Sequence, residues 1–141
     1  MVIMLLFVVV AVIVLLSSKR SSSPQRDQEL HYRWYEIHEM CRRTPGTAIV
    51  RVAHVYQRAQ RGTKAVVVLV ATGYQQDAWF AHSNPVPGSY LLVRGRTGWG
   101  PHNSNPEVLY VELGEVLYTL PPDTVQACER HRQLVIASQY R

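Results

Sequence analysis

The sequence lacks the short motifs by which catalytic sites are most often identified. It contains no Gly-x-Ser-x-Gly elbow, no His-Glu-x-x-His pair, no phosphate-binding glycine loop and no Cys-x-x-Cys pair. Acidic residues are scarce in the middle of the chain, where Asp77 is the only one between residues 44 and 106. A pair of carboxylates for general acid and base catalysis is therefore hard to place there. We predict that the protein is not an enzyme and has no cofactor.

Cysteine is also scarce, with only Cys41 and Cys128 in 141 residues. In a reducing compartment we expect free thiols in the core, whereas in an oxidising compartment a single disulfide would be the natural alternative. A histidine lies three positions from each cysteine, in His38-x-x-Cys41 and Cys128-x-x-His131. These four residues could form a zinc site between two helices. Because the two pairs are far apart in the chain, structural thiols are the preferred interpretation and no metal is predicted.

Charged residues are absent from the first sixteen positions, which are all apolar. At about 1.5 Å per residue, a helix over residues 1–18 would be about 27 Å long, close to the roughly 30 Å hydrocarbon layer of a bilayer. No Lys or Arg precedes the run and no Ala-x-Ala site follows it, which favours an uncleaved anchor over a cleaved signal peptide or a buried core helix. We therefore predict a transmembrane signal-anchor helix over residues 1–18, with the lipid bilayer as its partner.

The flanking charges predict the orientation of this segment. Lys19, Arg20 and Arg26 follow it, and no basic side chain precedes it. The positive-inside rule then places the N-terminus outside and the following domain on the cytoplasmic side of a single-pass protein. Residues 19–23 would be a polar juxtamembrane linker. If the segment were cleaved, the domain would be secreted or extracytoplasmic.

The pattern after the linker predicts one globular domain over residues 24–141, beginning with a helix. Ser23 and Pro24 are typical of a helix start, and Thr44-Pro45-Gly46 is typical of a helix end. The predicted helix over residues 24–43 has an apolar stripe at helical spacing that comprises Leu30, Trp34, Ile37 and Cys41.

From residue 47 the apolar residues alternate or form short β-branched runs, which predicts a β region over about 47–120. Its expected strands cover residues 47–57, 64–72, 77–82, 89–96 and 107–113, and whether residues 115–120 add a sixth is left open. A closing helix over about 122–139 follows, with Val125, Cys128 and Val135 on one side. The predicted fold class is α+β: a small, mainly antiparallel barrel or coiled sheet, OB-like in its strand number and long loops, flanked by two helices.

The β region carries most of the positive charge of the chain. Residues 44–106 contain six basic side chains against one acidic one, and tryptophan and tyrosine are interleaved among them. Residues 97–106 form a glycine- and proline-rich loop that holds Trp99 and His102. The candidate interaction surface comprises Arg51, Arg58, Arg61, Lys64, Arg94, Arg96, Trp79, Trp99 and His102.

These features predict a small membrane-anchored interaction module whose basic β domain lies at the cytoplasmic membrane surface and meets a protein partner or anionic lipid headgroups. The alternative is a membrane-tethered, OB-like domain that binds nucleic acid, since cations paired with stacking aromatics are typical of single-strand binding. A zinc-stabilised structural domain is the second alternative.

Overall fold

The computed structural model describes residues 23–97 and 107–141, which form a curled β-sheet with one helix before it and one after it. In chain order the elements are α1 (Pro24–Arg43), β1 (Thr47–Ala59), β2 (Gly62–Leu69), β3 (Gln75–Ala81), β4 (Tyr90–Arg94), β5 (Arg96–Thr97), β6 (Val108–Val111), β7 (Val116–Leu120) and α2 (Thr124–Gln139).

Helix α1 has the start and the end that its sequence predicts. The Ser23 hydroxyl accepts a hydrogen bond from the backbone N–H of Arg26 at 3.2 Å, and Pro24 occupies the first turn. At the other end, Thr44 is extended and its N–H bonds to the carbonyl of Met40. Leu30 and Ile37 are buried on the side of the helix that packs against the sheet.

The sheet has the strand order β5-β6-β3-β2-β1-β4-β7. Its described pairs are antiparallel except for β3 and β6, which run parallel. The long strand β1 has two register shifts against β2, between Val52 and His54 and between Val55 and Gln57. Because such bulges bend a strand and increase its twist, they help the sheet to curl.

Because the sheet curls, the adjacent strands β4 and β5 pair near opposite ends of it. Strands β4 and β5 are separated by Gly95 alone, yet β4 pairs with β1 and β7 whereas β5 pairs with β6. A Cβ at Gly95 would lie 2.4 Å from a methyl carbon of Leu109. A side chain at residue 95 would therefore force Leu109 to move where β4, β5 and β6 approach one another.

Two apolar clusters lie on opposite faces of the sheet. The residues inside the curl form the larger cluster: Val50, Val52, Ala65, Val67, Ala78, Phe80, Leu91, Val93, Leu109 and Val111. On the outer face, Ile49, Leu92 and Leu120 pack against Leu30 and Ile37 of α1. The alternation of these side chains along β1 and β4 is the period-two pattern of strands that are buried on both faces.

Ionic contacts join α2 to α1. Arg130 donates two hydrogen bonds, of 2.8 and 2.9 Å, to the buried carboxylate of Asp27, and Arg26 donates to both carboxylate oxygens of Asp123. The buried residues of α2 are Thr124, Ala127 and Cys128. The prediction that Val125 and Val135 would share the buried side with Cys128 is wrong, because each is 42% exposed.

The structure corrects the predicted architecture. The described residues form an α+β fold with a curled seven-stranded sheet and two helices, not a transmembrane helix followed by an OB-like barrel. Neither α1 nor α2 could cross a membrane, since α1 carries eight charged side chains and α2 is only 16 residues long, whereas a spanning helix needs about 20 mainly apolar residues.

The same finding corrects the predicted single-pass topology and membrane location, since none of the helices in the described ranges could span a bilayer. The predicted transmembrane segment, residues 1–18, and linker residues 19–22 lie outside the described residues.

Candidate ligand-binding face of the sheet

Helix α1 covers only part of the outer face of the sheet. Its neighbours on that face are Ile49, Leu92 and Leu120, which lie on β1, β4 and β7. Further along, over β2, β3, β5 and β6, the same face presents charged and aromatic side chains together with half-buried valines. This part of the sheet is the candidate site.

A single row of paired residues crosses the candidate site. Residues directly opposite each other on neighbouring strands project from the same face. Gln57 pairs with Lys64, Lys64 with Trp79, Trp79 with Tyr110, and Tyr110 with Arg96. We call these five residues the cross-strand row. It places two aromatic residues on adjacent strands between two cationic ones, with backbones about 4.8 Å apart at each step.

The indole of Trp79 is held against the sheet by a glycine beneath it. A Cβ at Gly62 would lie 2.6 Å from Cζ2 and 2.9 Å from Cη2 of Trp79. The six-membered ring therefore occupies the space in which any residue other than glycine at position 62 would place its side chain. Trp79 is half-buried, so the ring is fixed against the backbone while part of it faces solvent.

A second polar group borders the cross-strand row. The hydroxyl of Tyr56 donates a hydrogen bond to Oδ1 of Asp77 at 3.2 Å, and the His54 ring stacks beside Tyr56 with a centroid distance of 6.5 Å. Burial, together with the neighbouring carboxylate of Asp77, raises the pKa of Tyr56. Tyr56 thus stays a neutral hydrogen-bond donor at physiological pH and engages the one carboxylate on β3.

The structure brings together three of the predicted surface residues, Lys64, Trp79 and Arg96, in the cross-strand row. Arg51 projects from the same face but lies opposite Tyr90, next to the part that α1 covers. Arg94 is 3.6 Å from Glu115, which offsets its charge.

The other predicted residues lie elsewhere. Arg58 is opposite the buried Thr63 near the tip of the β1–β2 hairpin, and Arg61 is in the turn at that tip. Trp99 and His102 lie within residues 98–106, outside the described residues. Among the described side chains, Arg51, Arg58, Arg61, Lys64 and Arg96 take part in no ion pair. Their charge is therefore available to an anionic ligand.

The four candidate zinc ligands are not brought together. The thiol of Cys128 is directed at the carbonyl of Leu30 and that of Cys41 at the carbonyl of Thr47. Since Leu30 and Cys41 are eleven residues apart on α1, about 16 Å separates the two thiols along the helix. His38 contacts its own helix, and His131 faces His31 instead. The described residues contain no group of three or more side chains that could hold a metal ion.

Tyr110 is not among the residues of the predicted interaction surface. The alternation of Val108, Tyr110 and Glu112 with the buried Leu109 and Val111 indicates which residues of β6 face outward. The alternation does not reveal that β6 pairs with β3, because this contact joins residues about thirty positions apart in the chain. Only the pairing places Tyr110 beside Trp79.

Comparison with known proteins finds no match for this chain among protein-family models, curated proteins or solved structures. The chemistry of the cross-strand row is therefore the basis for a functional proposal.

Proposed function

We propose that the protein is a non-catalytic interaction module that binds single-stranded nucleic acid on the outer face of its sheet. The observation that supports this proposal is the cross-strand row, in which Lys64 and Arg96 flank Trp79 and Tyr110 on adjacent strands. Proteins that bind single strands combine aromatic stacking surfaces with cations that follow the phosphate backbone.

Each part of the cross-strand row has a role in this proposal. Trp79 and Tyr110 would stack with two bases, and Lys64 and Arg96 would contact the flanking phosphates. Because every base has a π-face, binding of this kind tolerates different sequences. Gly62 contributes indirectly, since it allows the Trp79 ring to lie against the sheet in a fixed position. A ring that is already fixed loses less conformational entropy when a base stacks on it.

The free cations predict a marked salt dependence. Lys64 and Arg96 lie in the cross-strand row, and Arg51 projects from the same face. If these three neutralise three phosphates, the slope of log K against log salt should be about −2, at roughly −0.7 per phosphate of a single strand. A protein ligand recognised through the aromatic rings alone would show a much smaller slope.

The proposal is tested by titrating a fluorescent 15-nucleotide oligothymidine with the full chain and measuring anisotropy at several salt concentrations. Trp79→Ala should weaken binding by roughly 5-fold to 150-fold, the equivalent of one lost base stack of about 1–3 kcal/mol. Lys64→Ala should weaken binding less and make the salt slope shallower by about 0.7. The matched controls are Tyr35→Ala and Arg42→Ala on the exposed side of α1, which should bind as the unmodified chain does.

Two results would contradict the proposal. The first is an absence of binding to single-stranded DNA and RNA at low salt. The second is binding that Trp79→Ala and Tyr35→Ala reduce equally, since stacking on Trp79 would then have no special part in it. If no oligonucleotide binds and a protein co-purifies with the unmodified chain but not with Trp79→Ala, the outer face is a protein-binding surface instead.

A further inference from the structure

A polar cavity lies at the tip of the β1–β2 hairpin, on the face of the sheet opposite to the cross-strand row. Arg58 pairs with Thr63, and Thr63 pairs with Phe80, whose side chain is fully buried inside the curl. Arg58 and Thr63 therefore project from the inner face. Because Arg58 is exposed, the inner face is open to solvent at this end of the curl. The cavity is thus a separate site from the proposed nucleic-acid surface.

The cavity has two walls, which hydrogen bonds fix to each other. Its volume is about 320 Å³, and its lining includes Arg58, Gln60 and Thr63 of the hairpin and His82, Ser83 and Asn84 of the segment after β3. The N–H of His82 donates to the carbonyl of Arg61 at 2.9 Å, and the buried hydroxyl of Thr63 donates to the carbonyl of Ser83 at 2.8 Å. A ligand would therefore not have to order either wall, which lowers the entropic cost of binding.

The backbone at His82 is strained. Its φ is 50°, and among the described residues it is the only one other than glycine with a positive φ. Such a conformation costs of order 1–3 kcal/mol and persists only where the surrounding structure imposes it. Strained residues of this kind cluster at sites that hold ligands. The strain at His82 coincides with a wall of the polar cavity.

The chemistry of the lining suits a phosphoryl group. The lining residues carry a guanidinium at Arg58, an imidazole at His82 and amides at Gln60 and Asn84, and none of the described lining residues is acidic. Arg58 forms no ion pair with any described residue, so no carboxylate offsets its charge. Guanidinium, imidazole and amide N–H groups donate the hydrogen bonds that phosphate oxygens accept.

The size and polarity of the cavity restrict the ligand further. A volume of about 320 Å³ is at the lower end of the range for small-molecule sites, about 300–1,000 Å³. The lining contains no tryptophan, tyrosine or phenylalanine on which a base could stack, and its amides and hydroxyls suit polar groups. The lining therefore favours a small polar compound over a nucleotide.

We propose that this cavity binds the phosphoryl group of a small polar metabolite, of the sugar phosphate class, or free phosphate. Arg58 and His82 would donate to the phosphoryl oxygens, and Gln60 and Asn84 would bind hydroxyl groups of an attached sugar. The proposal goes beyond the proposed function and does not depend on it, since the cavity and the cross-strand row lie on opposite faces of the sheet.

The test compares ligands with and without a phosphoryl group. Glucose 6-phosphate, inorganic phosphate and glucose are titrated at equal ionic strength into the ¹⁵N-labelled full chain and followed by NMR. We expect glucose 6-phosphate to shift the amides of Gly62, Thr63 and His82 and to bind at least tenfold more tightly than glucose. Tighter binding of glucose 6-phosphate than of phosphate would assign the site to a sugar phosphate, and equal binding would assign it to free phosphate. An absence of binding by both, or equal binding of glucose 6-phosphate and glucose, would overturn the proposal.

Two variants locate the binding in the cavity. Arg58→Gln should weaken glucose 6-phosphate binding about tenfold or more, because it removes a charged hydrogen-bond donor, and the exposed position of Arg58 makes unfolding an unlikely cause. His82→Asn should also weaken binding, and asparagine tolerates the left-handed backbone. Arg43→Gln, at the exposed end of α1, removes the same charge far from the cavity and should bind as the unmodified chain does. Equal affinities in Arg58→Gln and Arg43→Gln would contradict the proposal, whether or not oligothymidine binds to the other face.

Discussion

The indole ring of Trp79 fills the space above Gly62 that any other side chain would need. A Cβ at residue 62 would be 2.6 Å from Cζ2 of the ring and 2.4 Å from the carbonyl oxygen of Phe80. The carbonyl oxygen cannot move freely, since Phe80 is fully buried in the core inside the curl and its carbonyl belongs to the backbone of β3. The position of the stacking ring thus depends on a glycine in the neighbouring strand.

Gly62→Ala should therefore weaken both folding and ligand binding. We expect a loss of about 1–3 kcal/mol in the free energy of unfolding, the usual cost of adding a methyl group to a tightly packed position. Because Trp79 must also shift, oligothymidine binding should weaken by a factor similar to that of Trp79→Ala. Urea denaturation and anisotropy on the same preparation measure the two effects. A variant with unchanged stability and affinity would show that the ring does not need the space above Gly62.

The packing of α1 against the sheet predicts the cost of a core truncation. Ile37 is fully buried, between the helix and the outer face of β1, β4 and β7. Ile37→Ala should lower the free energy of unfolding by about 2–5 kcal/mol, because it removes buried methyl groups and leaves a cavity. Leu134→Ala on α2 is the control: its side chain is 51% exposed, and the expected change is within about 0.5 kcal/mol. Equal losses in the two variants would contradict the described packing.

The ion pairs between α1 and α2 predict a loss of stability in acid. Hydrogen bonds from Arg130 lower the pKa of Asp27, and those from Arg26 lower the pKa of Asp123. A carboxyl with a lowered pKa in the folded state adds stability above its unfolded pKa, about 3.9, and loses it as the pH falls through the lower folded value. The melting temperature should therefore drop between about pH 4 and pH 2.

A double variant checks this assignment. Asp27→Asn combined with Asp123→Asn should melt at a lower temperature than the unmodified chain at pH 7 and show a smaller further drop in acid. Glu112→Gln, at an exposed position outside the ion pairs, should retain the full acid drop. If the double variant and Glu112→Gln gave the same pH profile, the helix-to-helix ion pairs would not be the source of the acid sensitivity.

A pair of histidines should make the folding stability depend on pH near neutrality as well. The ring of His31 faces that of His131 at 4.8 Å, and its Nδ1 is buried with no hydrogen-bond partner among the described residues. Burial, followed by the charges of His131 and Arg132, lowers the pKa of His31. The unfolded chain takes up this proton near pH 6.5, before the folded protein does, so stability should fall as the pH drops below about 6.5.

His31→Phe should reduce this dependence. It keeps a ring against His131 but cannot be protonated, so its melting temperature should change less between pH 7.5 and pH 5 than that of the unmodified chain. His54→Gln is the control, since His54 is exposed on the outer face. An unchanged profile in His31→Phe would mean that His31 does not titrate differently in the folded and unfolded states.

Local features of the fold follow from the sequence more readily than long-range ones. Ser23-Pro24 and Thr44-Pro45-Gly46 determine the ends of α1 because capping depends on the few residues at each terminus. The alternation of β1 likewise predicts its two faces as far as Val52, after which the two register shifts change which side chains face the core. The predicted strand over residues 89–96 is divided at Gly95 into β4 and β5, because each half pairs with a different strand. No pattern within residues 89–96 indicates which strand each half pairs with.

The candidate site likewise depends on long-range strand pairing that local patterns do not reveal. Lys64, Trp79 and Arg96 are recognisable as site residues because cations interleaved with aromatics are visible in the sequence. Their arrangement in one row with Tyr110 depends on the parallel pairing of β3 with β6. The predicted burial of Val125 and Val135 is wrong for a related reason. The small residues Ala127 and Cys128 pack against α1, and the larger Val125 and Val135 stay exposed, which hydrophobicity alone does not predict.

The central claim is that the cross-strand row is a binding surface for single-stranded nucleic acid, and NMR of the ¹⁵N-labelled full chain titrated with oligothymidine tests it most directly. We predict that the largest shift changes fall on the indole N–H of Trp79 and on the amides of Lys64, Tyr110 and Arg96, with little change over α1 and α2. Shift changes confined to the helices, or none at low salt and millimolar oligonucleotide, would contradict the claim.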